Sequence, residues 1–102
     1  MVSRDVQNMV EVLKEYFVSK PVVRAWIFGS CSRGEERPDS DVDLLIQYDK
    51  DSHIGLLAIG GMYMDLRRLL QRDVDLVEDG TLFDYAKESA ERDKILIYER
   101  AA

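Results

Sequence analysis

Along residues 3–17 the apolar positions fall at the spacing of a helix. Val6, Met9, Val10, Leu13 and Phe17 share one face, and Ser3 stands where an N-cap belongs. Pro21 ends that segment. Val22, Val23, Ala25, Trp26, Ile27 and Phe28 then form a nearly unbroken apolar run, the pattern of a strand covered on both faces. Residues 29–40 are polar and turn-like, and a second strand is predicted over 41–47, opening acidic and turning apolar. A long helix is predicted over 51–71, with Ile59, Met62, Tyr63, Leu66, Leu69 and Leu70 on one side. Gly60 and Gly61 inside it each cost about 1 kcal/mol relative to alanine, which marks a kink, a late helix start or a close backbone approach. A third strand is predicted over 73–77, and Asp79-Gly80 is a turn signal. Thr81, with Asp84 three residues on, opens a last helix carrying Leu82, Tyr85, Ala86 and Ser89. A final strand is predicted over 94–98. The order α-β-β-α-β-α-β predicts an α/β (α+β) fold, a small mixed sheet with helices packed against it.

Composition narrows the function classes. A chain of 102 residues is expected to form a single domain, 1–102. An apolar content of 46% with 33% charged residues is that of an ordinary soluble globular protein, not a disordered one. Fourteen Lys and Arg against twenty Asp and Glu leave a net charge of −6, which argues against broad nucleic-acid binding. No apolar run approaches a membrane span, and the first residues, MVSRDVQNMV, lack the apolar stretch of a signal peptide. One cysteine makes neither an intramolecular disulfide nor a zinc site by itself. The expectation is a cytoplasmic protein that leaves membranes alone.

The chemistry concentrates in FGSCSRGEERPDSDVDLLI, residues 28–46. Gly29-Ser30 lies where the first strand ends. Glycine lets a ligand approach the backbone, and a serine hydroxyl donates to a phosphate oxygen, although the same pair closes many ordinary strands. Asp41 and Asp43, two apart at the start of a strand, project to one face. Such paired carboxylates repel each other, and as hard oxygen donors they suit Mg²⁺. A lone pair of this kind is also an ordinary solvated strand edge. What favours chemistry is that the Gly-Ser turn and both carboxylates fall at the same end of a hairpin-like strand pair. A phosphate cradle beside metal-binding carboxylates is the minimum apparatus for phosphoryl or nucleotidyl transfer. The third strand repeats the DVDL string, so Asp73 or Asp75 can approach from a neighbouring strand and accept the proton of an attacking hydroxyl.

Gly-Ser, a ten-residue gap, Asp-Val-Asp and a further aspartate on a later strand resemble the DNA-polymerase-beta-like nucleotidyltransferase superfamily, and within it the minimal nucleotidyltransferases of prokaryotes. The resemblance implies that Gly29 and Ser30 form the nucleotide-phosphate turn and that Asp41 and Asp43 are metal ligands. Asp75 matches the third carboxylate better than Asp73 does. The implied cofactor is Mg²⁺, as two ions, with ATP as substrate. Arg33, in the GSxxRG pattern of the minimal branch, either neutralises triphosphate charge or is a solvent-exposed loop arginine. Ser40 either orients a ligand carboxylate or ends the loop. Minimal nucleotidyltransferases typically pair with a HEPN-type RNase toxin. The resemblance therefore implies an antitoxin that transfers AMP to a tyrosine of that toxin, a protein adenylyltransferase. Two other readings remain: an antitoxin that works by binding alone, and transfer to a small molecule with a homodimer building the acceptor pocket.

Other residues read more simply. His53 suits a surface or helix-capping position, and Cys31 a small loop or partly buried one. Arg67, Arg68 and Arg72 form a basic patch that can remain solvated or contact an acidic partner. Trp26, Met62 and Met64 suit packing.

Overall fold

The computed structural model describes residues 2–37, 39–52, 54–79, 88 and 91–100. Helix α1 spans Arg4–Phe17 and begins as expected, with the Val6 amide donating to the Ser3 hydroxyl at 3.2 Å. The face it buries is the predicted one: Val6, Met9, Leu13 and Phe17. Strands β1 (Val22–Phe28), β2 (Val42–Tyr48), β3 (Val74–Glu78) and β4 (Ile95–Glu99) form a mixed sheet in the order β3-β2-β1-β4. β1 is antiparallel to both β2 and β4, whereas β2 and β3 run parallel. A parallel pair needs a crossover, and helix α3 (Leu56–Leu70) supplies it.

One core holds these elements together. Val42, Leu44 and Ile46 project from one face of β2 and pack with the buried residues of α1 and with Met62, Leu66 and Leu70 of α3. Each fully buried leucine or phenylalanine there stabilises the fold by about 1.5–3 kcal/mol. The Tyr16 hydroxyl donates to Asp65 at 2.7 Å and joins the two helices.

Several expectations need correcting. β1 is not covered on both faces: Val22, Ala25 and Ile27 are buried, while Trp26 and Phe28 are only half-buried. α1 and α3 pack on the side of Ala25 and Ile27, and on the other side the Lys94 ammonium stands 4.7 Å from the centre of the Trp26 ring. β2 is the strand with consecutive buried residues, Leu44, Leu45 and Ile46. The segment at 29–40 contains a one-turn helix, α2 (Ser30–Arg33). The long helix is shorter than predicted, because a 3₁₀ turn at Lys50–Ser52 and Gly55 precede its first residue. It ends at Gln71, whose φ of 57° is left-handed and whose amide bonds the Arg67 carbonyl at 2.9 Å. Leu69, assigned to its buried face, is 48% exposed. The helix runs unbroken through Gly60 and Gly61, so they mark neither a kink nor its start. His53, Gly80 and the helix expected from Thr81 to Ser89 lie outside the described residues, apart from Glu88, which is helical.

Candidate active site

The end of β1 is shaped by one residue. Gly29 has φ 72° and ψ −151°, a conformation that side chains disfavour. A Cβ at this position would lie 2.2 Å from Asp43 Oδ2, so glycine is needed twice over. Its carbonyl accepts the amides of Ser32 (3.1 Å) and Arg33 (3.3 Å) and the Ser32 hydroxyl (2.8 Å), which turns the chain sharply into α2. Gly34, at φ 74°, closes the turn by donating its amide to the Ser30 carbonyl. The amides of Ser30 and Cys31 open this turn, where a helix has no earlier carbonyl to accept them.

Sheet pairing brings the carboxylates to the same end. Phe28, the residue before Gly29, sits opposite Asp43 in the antiparallel pair. Asp43 sits beside Asp75 in the parallel pair, and the Val42 amide donates to the Asp73 carbonyl at 2.9 Å. Asp41 and Asp75 are exposed, whereas Asp43 is half-buried. Burial, then Asp75, then Asp41 push the Asp43 carboxyl up to about 6, and Arg33 pulls it back. Asp73 turns instead to Arg67, in an exposed ion pair at 2.8 Å.

The flanking residues are engaged within the chain. Arg33 pairs with Glu35 and, at 2.9 Å, with Asp93. Sequence patterning gave no hint of Asp93, because the tie spans sixty residues. The Ser40 hydroxyl accepts the Arg37 amide at 2.7 Å, and its own amide returns to the Arg37 carbonyl, so Ser40 shapes the loop leading to Asp41. Cys31 is buried, and its thiol is pushed up by burial and then by Glu36.

Among the described residues, no three His, Cys, Asp or Glu side chains converge closely enough to cage a metal ion. The donor chemistry nonetheless suits a hard divalent cation, since two carboxylates raise the pKa of a third and a cation relieves that repulsion. Mg²⁺ characteristically takes only one or two carboxylates and completes its shell with water and phosphate oxygens.

The family profile described as nucleotidyltransferase domain matches residues 6–100. A candidate protein adenylyltransferase of Methanocaldococcus jannaschii is 37% identical over 86 residues, which is 83% of either chain. A solved candidate minimal nucleotidyltransferase is 30% identical, covers 93% of this chain and 95% of its own, and superposes with a TM-score of 0.75. The fold also recurs in the complex of the tri-AMPylated Shewanella oneidensis HEPN toxin with its MNT antitoxin. There the identity is 15%, the coverage 93% of this chain and 73% of the other, and the TM-score 0.67.

Proposed function

Because the chain belongs to the nucleotidyltransferase domain family, we propose that it transfers AMP from ATP to a tyrosine of a partner protein, a HEPN-type toxin that it neutralises as antitoxin in the cytoplasm. The observation that carries the chemistry is the pairing of Asp43 with Asp75 at the sheet end where Gly29-Ser30 turns. The acceptor is supported by the relatives: candidate protein adenylyltransferases on one side, and an antitoxin fold bound to an AMPylated toxin on the other.

On this reading Gly29 leaves the turn open to the triphosphate, while the Ser30 hydroxyl and the first amides of α2 donate to its oxygens. Asp41, Asp43 and Asp75 are the side chains that would hold two Mg²⁺ ions. Bound there, the metal supplies charge neutralisation for the phosphoryl oxygens and the leaving group. Asp75, exposed and on the outer strand, accepts the proton of the tyrosine hydroxyl. The tyrosine oxygen then bonds to the α-phosphorus, and the bond from that phosphorus to pyrophosphate breaks. Arg33 adds positive charge near Asp43 from its place between Glu35 and Asp93. Ser40 acts through the loop that presents Asp41.

The test combines the protein with Mg²⁺, α-labelled ATP and lysate of the source organism, beside the Asp41→Asn/Asp43→Asn double variant. A discrete labelled protein seen with the wild type alone is the expected result. Labelling retained by the double variant sinks the assignment. Nucleotide binding without any protein label turns the reading towards a small-molecule acceptor or an antitoxin acting by binding.

A further inference from the structure

Helix α3 has two unlike halves. From Met62 onward it buries Met62, Leu66 and Leu70 in the core. Its beginning does the opposite, with Leu56 85% and Leu57 94% exposed, and Met64 two turns further on is 57% exposed. Between them stand Gly60 and Gly61, which have no positive φ to justify glycine. An added Cβ at either would meet nothing within 4 Å. Glycine in mid-helix costs stability, and nothing among the described residues repays it.

The outer edge of β3 runs beside this stretch. The Asp73 carbonyl accepts the Val42 amide, and the Asp79 amide donates to the Ile46 carbonyl. Strand alternation therefore turns the amides and carbonyls of Val74 and Leu76 away from β2, and among the described residues no strand pairs with that edge. Between helix and edge lies a cleft of about 420 Å³, lined by Leu56, Ile59, Gly60 and Tyr63 from α3 and by Val74, Asp75 and Leu76 from β3. Asp75 thus belongs both to the carboxylate group around Asp43 and to the wall of an apolar cleft.

We propose that this cleft is the acceptor subsite. It takes an apolar stretch of the acceptor protein, laid along the β3 edge with its side chains against Leu56, Ile59 and Tyr63. The hydroxyl to be modified then arrives at Asp75. The inference rests on the nucleotidyl-transfer reading and adds the chemistry of the acceptor surface. An outward edge strand and a helix face without Cβ atoms at Gly60 suit a backbone that must come close, which a peptide segment has. A second copy of this chain seated there permanently would cover Asp75 and block the acceptor. Beyond Met64 the same face reaches a larger cleft, lined by Arg67, Arg68 and Arg72 together with Asp39 and Asp73.

The test measures equilibrium binding of two fluorescent peptides by polarisation. One carries a central tyrosine flanked by leucines, and its twin has serines in their place. The wild type binds the leucine peptide about tenfold more tightly, the worth of roughly one buried apolar side chain. Gly60→Leu fills the cleft and removes that preference. Leu56→Asp removes it too, and an acid suits the first turn of a helix, so the fold is retained. Gly60→Ala gives the opposed signature, raising Tm by about 4 °C or more while weakening the leucine peptide. Equal binding of the two peptides by the wild type overturns the proposal, as does a preference that survives both Gly60→Leu and Leu56→Asp. A wild-type dimer in sedimentation that Leu56→Asp dissociates overturns it in favour of a second copy. Adding Mg²⁺ and α-labelled ATP separates the two readings: preferential binding without label keeps the subsite and refutes transfer, and equal labelling of both peptides does the reverse.

Discussion

The tetrapeptide Asp-Val-Asp-Leu occurs twice, at 41–44 and 73–76, and the two copies lie side by side in register on parallel strands. Val42 and Val74 are both buried under the helices, and the second aspartates stand next to each other. Their surroundings differ sharply. Asp43 is on an interior strand, half-buried against Gly29, with its carboxyl pushed up to about 6. Asp75 is on the outer strand and exposed. The same four residues therefore give one carboxylate held inside the site and one open to an incoming molecule. Position in the sheet, rather than local sequence, divides the labour.

The largest effect that can break this comparison is expected from Asp43→Asn. Transfer should fall by about 10³-fold or more, read as initial rate of label incorporation. Stability should change in the opposite direction. The folded pKa of Asp43 is about 6 and the ordinary value is 3.8, so the native state holds this proton more tightly than the unfolded chain. Wild-type stability therefore falls as pH rises between those values, and Asn escapes the loss. The variant should be more stable by about 1–3 kcal/mol above pH 6, and the gain should vanish near pH 4. Denaturant melts of the metal-free proteins at the two pH values decide it, and a variant less stable at neutral pH contradicts the electrostatics described here.

Asp75→Asn is expected to slow transfer by about 10²–10³-fold. Because this side chain is exposed but its charge helps to raise the Asp43 carboxyl, any gain in stability at neutral pH should be smaller than that of Asp43→Asn. A large pH-dependent gain would erase the distinction between the two copies. Gly29→Ala sharpens the contrast from the other side. Positive φ and the contact with Asp43 Oδ2 should together cost about 1–3 kcal/mol, and pairing it with Asp43→Ala should recover part of that loss in a double-mutant cycle. The smallest effect belongs to Asp73→Asn, which breaks only an exposed pair with Arg67 and should leave transfer within about twofold of wild type.

Much of this was legible before any coordinates. The 3.6-residue spacing of Val6, Met9, Leu13 and Phe17 leaves little choice but a helix with that face buried. Gly29-Ser30, Asp41 and Asp43 could be placed at one end of the sheet because strand direction and a short connection determine it. Other features depend on distant parts of the chain. That both long helices pack on one side of the sheet, over Ala25 and Ile27 rather than Trp26, is encoded in no local window. The Arg33–Asp93 pair joins elements brought together only by the β1–β4 ladder. Leu69 was assigned to the buried face of α3 because leucines at helical spacing look alike whether they meet the sheet or solvent.

The parallel pairing of β2 with β3 also carries a consequence for how the chain reaches its native state. Gly29, Ser30, Asp41 and Asp43 are joined by a short connection, so their part of the site forms through local contacts. Asp75 meets Asp43 only after a loop containing all of α3 has closed, and such non-local pairings are slow to nucleate. The Gly29-Ser30 turn is therefore expected to be in place before the outer aspartate arrives. On the proposed reading, a partly folded chain would present this turn before the group assigned to accept the acceptor's proton, so competence for transfer would come late, with the docking of β3.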